Sequence, residues 1–211
     1  VLLLENVRFH AGEKNNNPAF AKQLAELGDI FISDAFATAH REHASMVGVP
    51  NLFETKAAGL LMQKELAYYA QALENPKKPL CVVIGGAKVS SKLKALINLA
   101  SKADTLIIGG AMANTFLAAQ GFQMGRSLYE PDLAPKVIEL LGTLARRGCH
   151  VYLPVDVVVA PSLNSKGLGR AVPVQEIPPD TMALDIGPAT SLLYKEALNS
   201  AETIVWNGPM G

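Results

Sequence analysis

Two lysines spaced four apart, just behind a pair of glycines, form the most chemically suggestive stretch of the sequence. It reads Gly85-Gly86-Ala87-Lys88-Val89-Ser90-Ser91-Lys92 and directly follows the apolar run Leu80–Ile84. Glycines let a backbone approach a ligand closely, and a helix starting here would aim free N–H groups and a partial positive charge at the same point. Lys88 and Lys92 would share one face of its first turn. Lysines at a helix N-terminus oppose the macrodipole, at a cost of a few tenths to about 1 kcal/mol, and an anion between them reverses that cost. The residues fit a phosphate site, or a glycine turn with two solvated lysines. They are not a P-loop, because G-x-x-x-x-G-K-[ST] is absent. Nor is Gly167-Leu168-Gly169 a dinucleotide fingerprint: it lacks a third glycine and sits in a Pro/Gly-rich connection.

Two further apolar runs end in glycines. Gly109-Gly110-Ala111-Met112-Ala113 follows Thr105–Ile108, and Asn207-Gly208-Pro209-Met210-Gly211 follows Thr203–Trp206. One such turn is ordinary punctuation; three at the ends of neighbouring strands favour a nucleotide cleft. The first part of the chain differs in character. Glu5-Asn6-Val7-Arg8-Phe9-His10 and Asp34-Ala35-Phe36-Ala37-Thr38-Ala39-His40-Arg41-Glu42-His43 each follow an apolar run. Arg8 and Arg41 are therefore expected at the same edge of one sheet. Guanidinium forks there suit carboxylate or phosphate oxygens, or else each arginine makes a surface salt bridge. His10, His40 and His43 lack cysteine partners and a helical H-E-x-x-H pattern, so no metal site is expected.

These residues need a scaffold that presents strand ends side by side. Val1–Leu4 reads as a buried parallel strand. Asn17-Pro18 reads as a cap and first position of a helix with Phe20, Leu24 and Leu27 on one face, closed by Gly28. A strand over Asp29–Ser33 precedes the long polar segment Asp34–Leu52, and a helix is expected over Ala58–Leu73. Asn75-Pro76-Lys77-Lys78-Pro79 is the best linker candidate. A regular rhythm then sets in: strand Leu80–Ile84, helix Val89–Ser101, strand Thr105–Ile108, helix Met112–Gln120, helix Pro131–Arg147, strand His150–Leu153 and apolar run Val155–Ala160. Ser162–Pro179 reads as a connection, followed by strand Leu184–Ile186, helix Pro188–Asn199 and strand Thr203–Trp206. The alternation predicts an α/β chain with a parallel sheet and helices on both faces, a three-layer, Rossmann-like arrangement.

The bulk composition narrows the function classes. Hydrophobic residues make up 49% and charged residues 18%, enough for a packed core. Nineteen basic residues balance nineteen acidic ones, which argues against a general nucleic-acid or membrane-surface binder. Cys81 and Cys149 each start an apolar run and read as small core side chains, consistent with a reducing cytosol. No run reaches the roughly 18 apolar residues of a membrane span. With no initiator methionine and apolar runs near both termini, both ends are expected to be internal to a longer protein.

Several stretches together resemble phosphoglycerate kinase. They are Leu3-Leu4-Glu5-Asn6-Val7-Arg8-Phe9-His10, Asp34-Ala35-Phe36-Ala37-Thr38-Ala39-His40-Arg41, Gly85-Gly86-Ala87-Lys88-Val89, Leu184-Asp185-Ile186-Gly187-Pro188 and Trp206-Asn207-Gly208-Pro209. Their order and spacing suit the family along the whole chain. The resemblance implies a hinged two-domain kinase that transfers a phosphoryl group reversibly between 1,3-bisphosphoglycerate and ADP, giving 3-phosphoglycerate and ATP. Residues 1–57 would be the last part of the phosphoglycerate-binding domain, 58–75 an interdomain helix, and 76–211 an incomplete nucleotide-binding domain. By motif position Arg8 and Arg41 would hold the phosphoglycerate. Lys92 would reach the nucleotide phosphates, and Lys88 would be the catalytic residue that stabilises the transferring phosphoryl group. Gly86, Ala87, Gly110 and Leu128 would border the nucleotide on one side, and Asn207, Gly208, Pro209 and Met210 on the other. Mg2+ would arrive bound to ADP or ATP, and the full-length protein would be a cytoplasmic, glycolytic monomer.

Two positions depart from the family pattern. Ala111 and Ala183 stand where glycine is usual, each adding a methyl group near the expected adenine pocket. Family segments that complete the acid-substrate site, and a glutamate and a Gly-Gly-Gly-Asp segment that serve the Mg-nucleotide, are not in these 211 residues. Phosphoryl transfer needs many groups in register, so the chain alone is expected to have negligible kinase activity, and a nucleotide-binding fragment without chemistry is the alternative reading. A dinucleotide-dependent oxidoreductase would need the fingerprint that is missing.

Overall fold

The computed structural model describes residues 1–165, 167 and 169–211. Leu168, centre of the Gly-Leu-Gly triplet, lies outside the described residues. The chain divides into two compact units, Val1–Gln71 and Ala72–Gly211.

In the first unit Val1–Leu4 forms no strand and is exposed. This corrects the expected buried strand. An apolar run becomes a strand only where a neighbour takes up its N–H and C=O groups, and the sheet of this unit contains only two other segments. A 3-10 turn at Val7–Phe9 leads into α1 (Ala11–Lys14) and α2 (Pro18–Ala25). The side chain of Asn17 caps α2 as expected, accepting from Ala19 N at 2.9 Å and Phe20 N at 3.1 Å. The helix stops before Gly28. Phe20 and Leu24 pack on Ala21, Ala44 and Val49, while Leu27 is exposed. β1 (Phe31–Ser33) pairs in parallel with β2 (Lys56–Ala58). The polar segment between them folds into 3-10 turns at Phe36–Thr38 and Pro50–Leu52 and a π turn at Ala44–Gly48. α3 (Leu60–Leu73) carries the chain out of this unit. Asp34 holds its start, accepting from Met62 N at 2.7 Å.

The second unit comprises β3 (Leu80–Ile84), α4 (Val89–Ala100), β4 (Thr105–Ile108), α5 (Gly110–Ala119), α6 (Ala134–Arg146), β5 (His150–Tyr152), β6 (Asp156–Ala160), β7 (Arg170–Pro173), β8 (Met182–Ile186), α7 (Pro188–Asn199) and β9 (Thr203–Asn207). Four strands form a parallel sheet in the order β5-β4-β3-β9. β3 and β4 are buried along their whole length, which is why they read as unbroken apolar runs. Alternate residues serve opposite faces. Leu80, Val82, Ile84, Leu106 and Ile108 pack against Leu96 of α4, Phe116 of α5 and Leu144 of α6. Cys81, Val83 and Ile107 pack against Tyr194 and Ala197 of α7. Both cysteines are buried free thiols, and burial pushes Cys81 up to about 11, far from a reactive thiolate.

The connection expected over Ser162–Pro179 contains β7, which corrects that reading. β7 completes an antiparallel sheet, β7-β6-β8, whose apolar side joins Val157, Val159 and Val172 to Leu117 and Met124. Only one residue of the four in β7 is buried, so no alternation marks it in sequence.

Two polar side chains, Tyr194 and Asp156, tie α7 to the sheets. The hydroxyl of Tyr194, itself held from ionising by burial, donates to the Ile108 carbonyl at 2.7 Å. Tyr194→Phe should cost about 1 kcal/mol and lower the melting temperature by roughly 2–4 °C; a calorimetric scan that shows no shift removes this bond from the stability account. Asp156 caps α7. Its carboxylate accepts from Ala189 N at 3.0 Å, Thr190 N at 2.7 Å and Thr190 Oγ1 at 2.6 Å. The buried Thr190 Oγ1 in turn accepts from the N–H groups of Val155 and Asp156, both at 3.0 Å.

Candidate functional site

The chain runs outward from β3 to β4 and β5, then returns to place β9 on the other side of β3. Such a reversal parts the loops that leave β3 and β9 and opens a crevice beyond their C-terminal ends. All three glycine turns therefore meet there, since β4, β3 and β9 are neighbours. They interlock through their backbones. Gly85 N donates to Asn207 O at 2.9 Å, Gly110 N to Met210 O at 2.7 Å, and Met112 N to Gly86 O at 2.8 Å. Gly110 and Gly208 have φ values of +64° and +96°. A Cβ on Gly110 would stand 2.8 Å from Gly86 N, and one on Gly208 would stand 2.9 Å from Lys92 Nζ. Only glycine fits both the dihedral angles and the space.

Lys92 lies at the centre of this arrangement. Its Nζ donates to Gly85 O at 2.9 Å and to Asn207 Oδ1 at 2.8 Å. An ammonium has three N–H donors, and both of these acceptors are neutral. Among the described residues no carboxylate pairs with it. One donor and a full positive charge remain for an anion. Lys88 occupies the N-cap position of α4 and is exposed.

The start of α4 differs from the expectation of an open anion site. Glu130 already sits on it, Oε2 accepting from Ser90 N at 3.0 Å and Oε1 from Ser90 Oγ at 2.5 Å. The hydroxyl and N–H of Ser90, helped by Val89 N–H and the nearby charge of Lys88, hold Glu130 below the usual carboxylate range. Sequence reasoning missed this residue. It lies 40 positions from Ser90, and nothing local marks its partner.

A cavity of about 190 Å³ brings Gly86, Ala87, Gly110, Leu128 and Pro209 together. Ala111 and Ala183 line it too, so both added methyl groups face the same space. Whole-ligand pockets span roughly 300–1,000 Å³, so this one suits part of a nucleotide-sized ligand. Met210 borders an adjoining space with Gly110, Asn114 and Asp185. Leu128 is carried by a strap bonded at several points. Asn114 Nδ2 donates to Leu128 O at 3.1 Å, Ala183 N to Ser127 Oγ at 2.8 Å, and Glu130 N to Thr115 Oγ1 at 3.1 Å.

In the first unit Arg8 is placed by a 3-10 turn, not by the end of a strand, because the strand expected before it does not form. It lines an open cavity of about 470 Å³ with Asn6, Asp34, Thr38, His43 and Ser45. Arg41 follows the turn at Phe36–Thr38 and is not among the lining residues. Among the described residues neither guanidinium makes a hydrogen bond or ion pair. Glu13 lines the same cavity, only 2% exposed, and accepts from Ser45 N at 3.0 Å and Ser45 Oγ at 2.6 Å, with His43 Nδ1 at 3.6 Å. His10 stacks on Phe20. Among the described residues no group of three His, Cys, Asp or Glu side chains is placed to hold a metal ion, and no helix is long and apolar enough to cross a membrane.

Comparison with known proteins gives a consistent result. A family model described as phosphoglycerate kinase matches residues 1–211. A phosphoglycerate kinase of Aliarcobacter butzleri is 48% identical over 213 residues, and one of Azorhizobium caulinodans is 53% identical over 211; each match covers 100% of this chain and 53% of the relative. The solved phosphoglycerate kinase of Coxiella burnetii is 45% identical with a TM-score of 0.78, covering 98% of this chain and 53% of that one. The one from Pyrococcus horikoshii is 33% identical with a TM-score of 0.79, covering 99% and 54%. The chain spans about half the length of the curated relatives it matches.

Proposed function

The chain belongs to the phosphoglycerate kinase family, and from that premise we propose that it supplies the nucleotide side of an ATP:3-phosphoglycerate phosphotransferase. The whole protein would move a phosphoryl group from 1,3-bisphosphoglycerate to ADP, giving 3-phosphoglycerate and ATP, and run the same step in reverse. This is a glycolytic, cytoplasmic activity, with no nucleic-acid or membrane partner and a monomeric full-length protein.

The observation that carries the reading is Lys92, held between Gly85 O and Asn207 Oδ1 with no carboxylate beside it among the described residues. Phosphoryl transfer is accelerated chiefly by positioning and by charge aimed at the equatorial oxygens. Lys92 would hold the nucleotide phosphates from the floor of the crevice. Lys88, exposed at the head of α4, would meet the transferring phosphoryl group. Gly86, Ala87, Gly110 and Leu128 would border the nucleotide, with Asn207, Gly208, Pro209 and Met210 on the facing side. Arg8 and Arg41 would hold the phosphoglycerate, their planar forks suiting its carboxylate and phosphate oxygens.

Mg2+ would enter with the nucleotide. It usually binds through substrate phosphates plus one or two carboxylates while keeping several waters, and the described residues contain no three-ligand cluster that would hold it independently. When bound, the ion would offset charge on the phosphates. The protein's share would be to fix them with Lys92.

Binding without turnover is the second reading for these 211 residues. It is favoured by Arg41 standing outside the cavity that Arg8 lines. Calorimetric titration should show saturable ADP binding and none for NAD, and a coupled assay on the chain should show negligible turnover. No ADP binding would sink the nucleotide reading. Family-like turnover would overturn the second reading alone.

A further inference from the structure

The two lysines behind the glycine pair are electrostatically unequal. Among the described residues Lys92 Nζ bonds only to the neutral acceptors Gly85 O and Asn207 Oδ1. Lys88 heads a helix at whose start Glu130 already accepts from Ser90 N at 3.0 Å and Ser90 Oγ at 2.5 Å. The segment that carries this carboxylate is anchored: the Glu130 N–H donates to Thr115 Oγ1, Asn114 Nδ2 donates to Leu128 O, and Ala183 N donates to Ser127 Oγ. A negative charge thus occupies the point where the helix dipole and a lysine would draw an anion.

We propose that Glu130 is a positioning residue that sets nucleotide affinity: its carboxylate caps α4 and screens Lys88, so phosphates bind readily at Lys92 and reach Lys88 only against the charge of Glu130. The proposal rests on reading the crevice as a nucleotide site. Glu130 touches no phosphate in this scheme and acts through Ser90 and Lys88. Its use is release. An anion site with two unscreened lysines and a free helix start would hold its product tightly, and product release limits many such enzymes.

Removing Glu130 has two opposed effects. Losing the cap loosens α4 and weakens binding, while losing the charge tightens it. Glu130→Gln separates them, because an amide oxygen still accepts from Ser90 N–H but carries no charge. The chain and this variant would be titrated by calorimetry with ADP, pyrophosphate and adenosine, at about 10 mM and about 500 mM salt. The variant should bind pyrophosphate and ADP roughly 3- to 10-fold more tightly at low salt. Adenosine binding should not change, and the gain should shrink at high salt. A merely structural role would move all three ligands together. Unchanged or weaker pyrophosphate binding by a folded variant overturns the proposal. If the amide variant does not fold, Glu130→Ser, neutral and shorter, must show the same direction or the proposal fails. Absence of ADP and pyrophosphate binding by the unsubstituted chain overturns both this proposal and the nucleotide reading. Binding by that chain without tightening in the variant overturns this proposal alone.

Discussion

Replacing Lys92 with alanine is expected to weaken ADP binding by about 10- to 100-fold, the range for losing one hydrogen bond from a charged group. Two losses are involved. One is the charge and the spare N–H donor offered to the phosphates. The other is the link that the ammonium makes between Gly85 O and Asn207 Oδ1, the loops after β3 and β9. Lys92→Met would keep most of the stem and lose both polar links, so it should behave like alanine. Lys92→Arg is not a conservative repair. A planar fork cannot reproduce a point donor packed 2.9 Å from where a Gly208 Cβ would stand. Adenosine affinity should change far less than ADP affinity, because the effect lies at the phosphates. An ADP dissociation constant that stays the same, measured by titration calorimetry, would remove phosphate binding from Lys92.

The second large effect concerns stability. Asp156→Ala deletes the cap of α7 and takes the acceptor from the Ala189 and Thr190 N–H groups, while the buried Thr190 hydroxyl keeps the backbone carbonyl of residue 156 at 2.8 Å. A lost cap costs about 1–2 kcal/mol. That corresponds to a melting temperature roughly 2–8 °C lower. Partial burial pushes the Asp156 carboxyl upward, but the Thr190 hydroxyl and the N–H groups of Thr190 and Ala189 outweigh it and hold the group below its ordinary value. A carboxylate depressed in the folded state contributes stability that is present above the unfolded value of about 3.9 and is lost as pH falls through the folded value. The gap between the protein and Asp156→Asn should therefore be constant from neutral to mildly acidic pH and close only below about pH 4. Denaturant melts showing the gap widening on acidification would contradict this assignment.

Much of the second unit was legible because its signals are local. Leu80–Ile84 and Thr105–Ile108 match their expected bounds because strands covered on both faces must be apolar throughout. Pro188–Asn199 matches because proline marks its first position. The misses all depend on a distant partner. Val1–Leu4 has a strand's composition and no strand beside it. β7 is a short strand recognisable only once β6 is in place. The same division applies to the site. The glycine turns and lysines were visible in sequence, since their residue types carry the chemistry. Glu130 was not, since its acidic side chain looks like any solvated charge until Ser90 is brought to it.

The position of β9 also fixes when the crevice can exist. Lys92 and Asn207 are 115 residues apart, and β3 pairs with β9 across a comparably long separation, Leu80 opposite Thr203. Closing so long a loop costs entropy before any contact repays it, and non-local strand pairing is correspondingly slow. Within the second unit, β3, α4 and β4 leave the ribosome well before β9. The chain then carries an unpaired β3 edge, with Lys92 lacking one of its two acceptors, until β9 arrives. The phosphate cradle is therefore assembled late in folding, and an incomplete chain exposes a bare parallel edge to its neighbours throughout that interval.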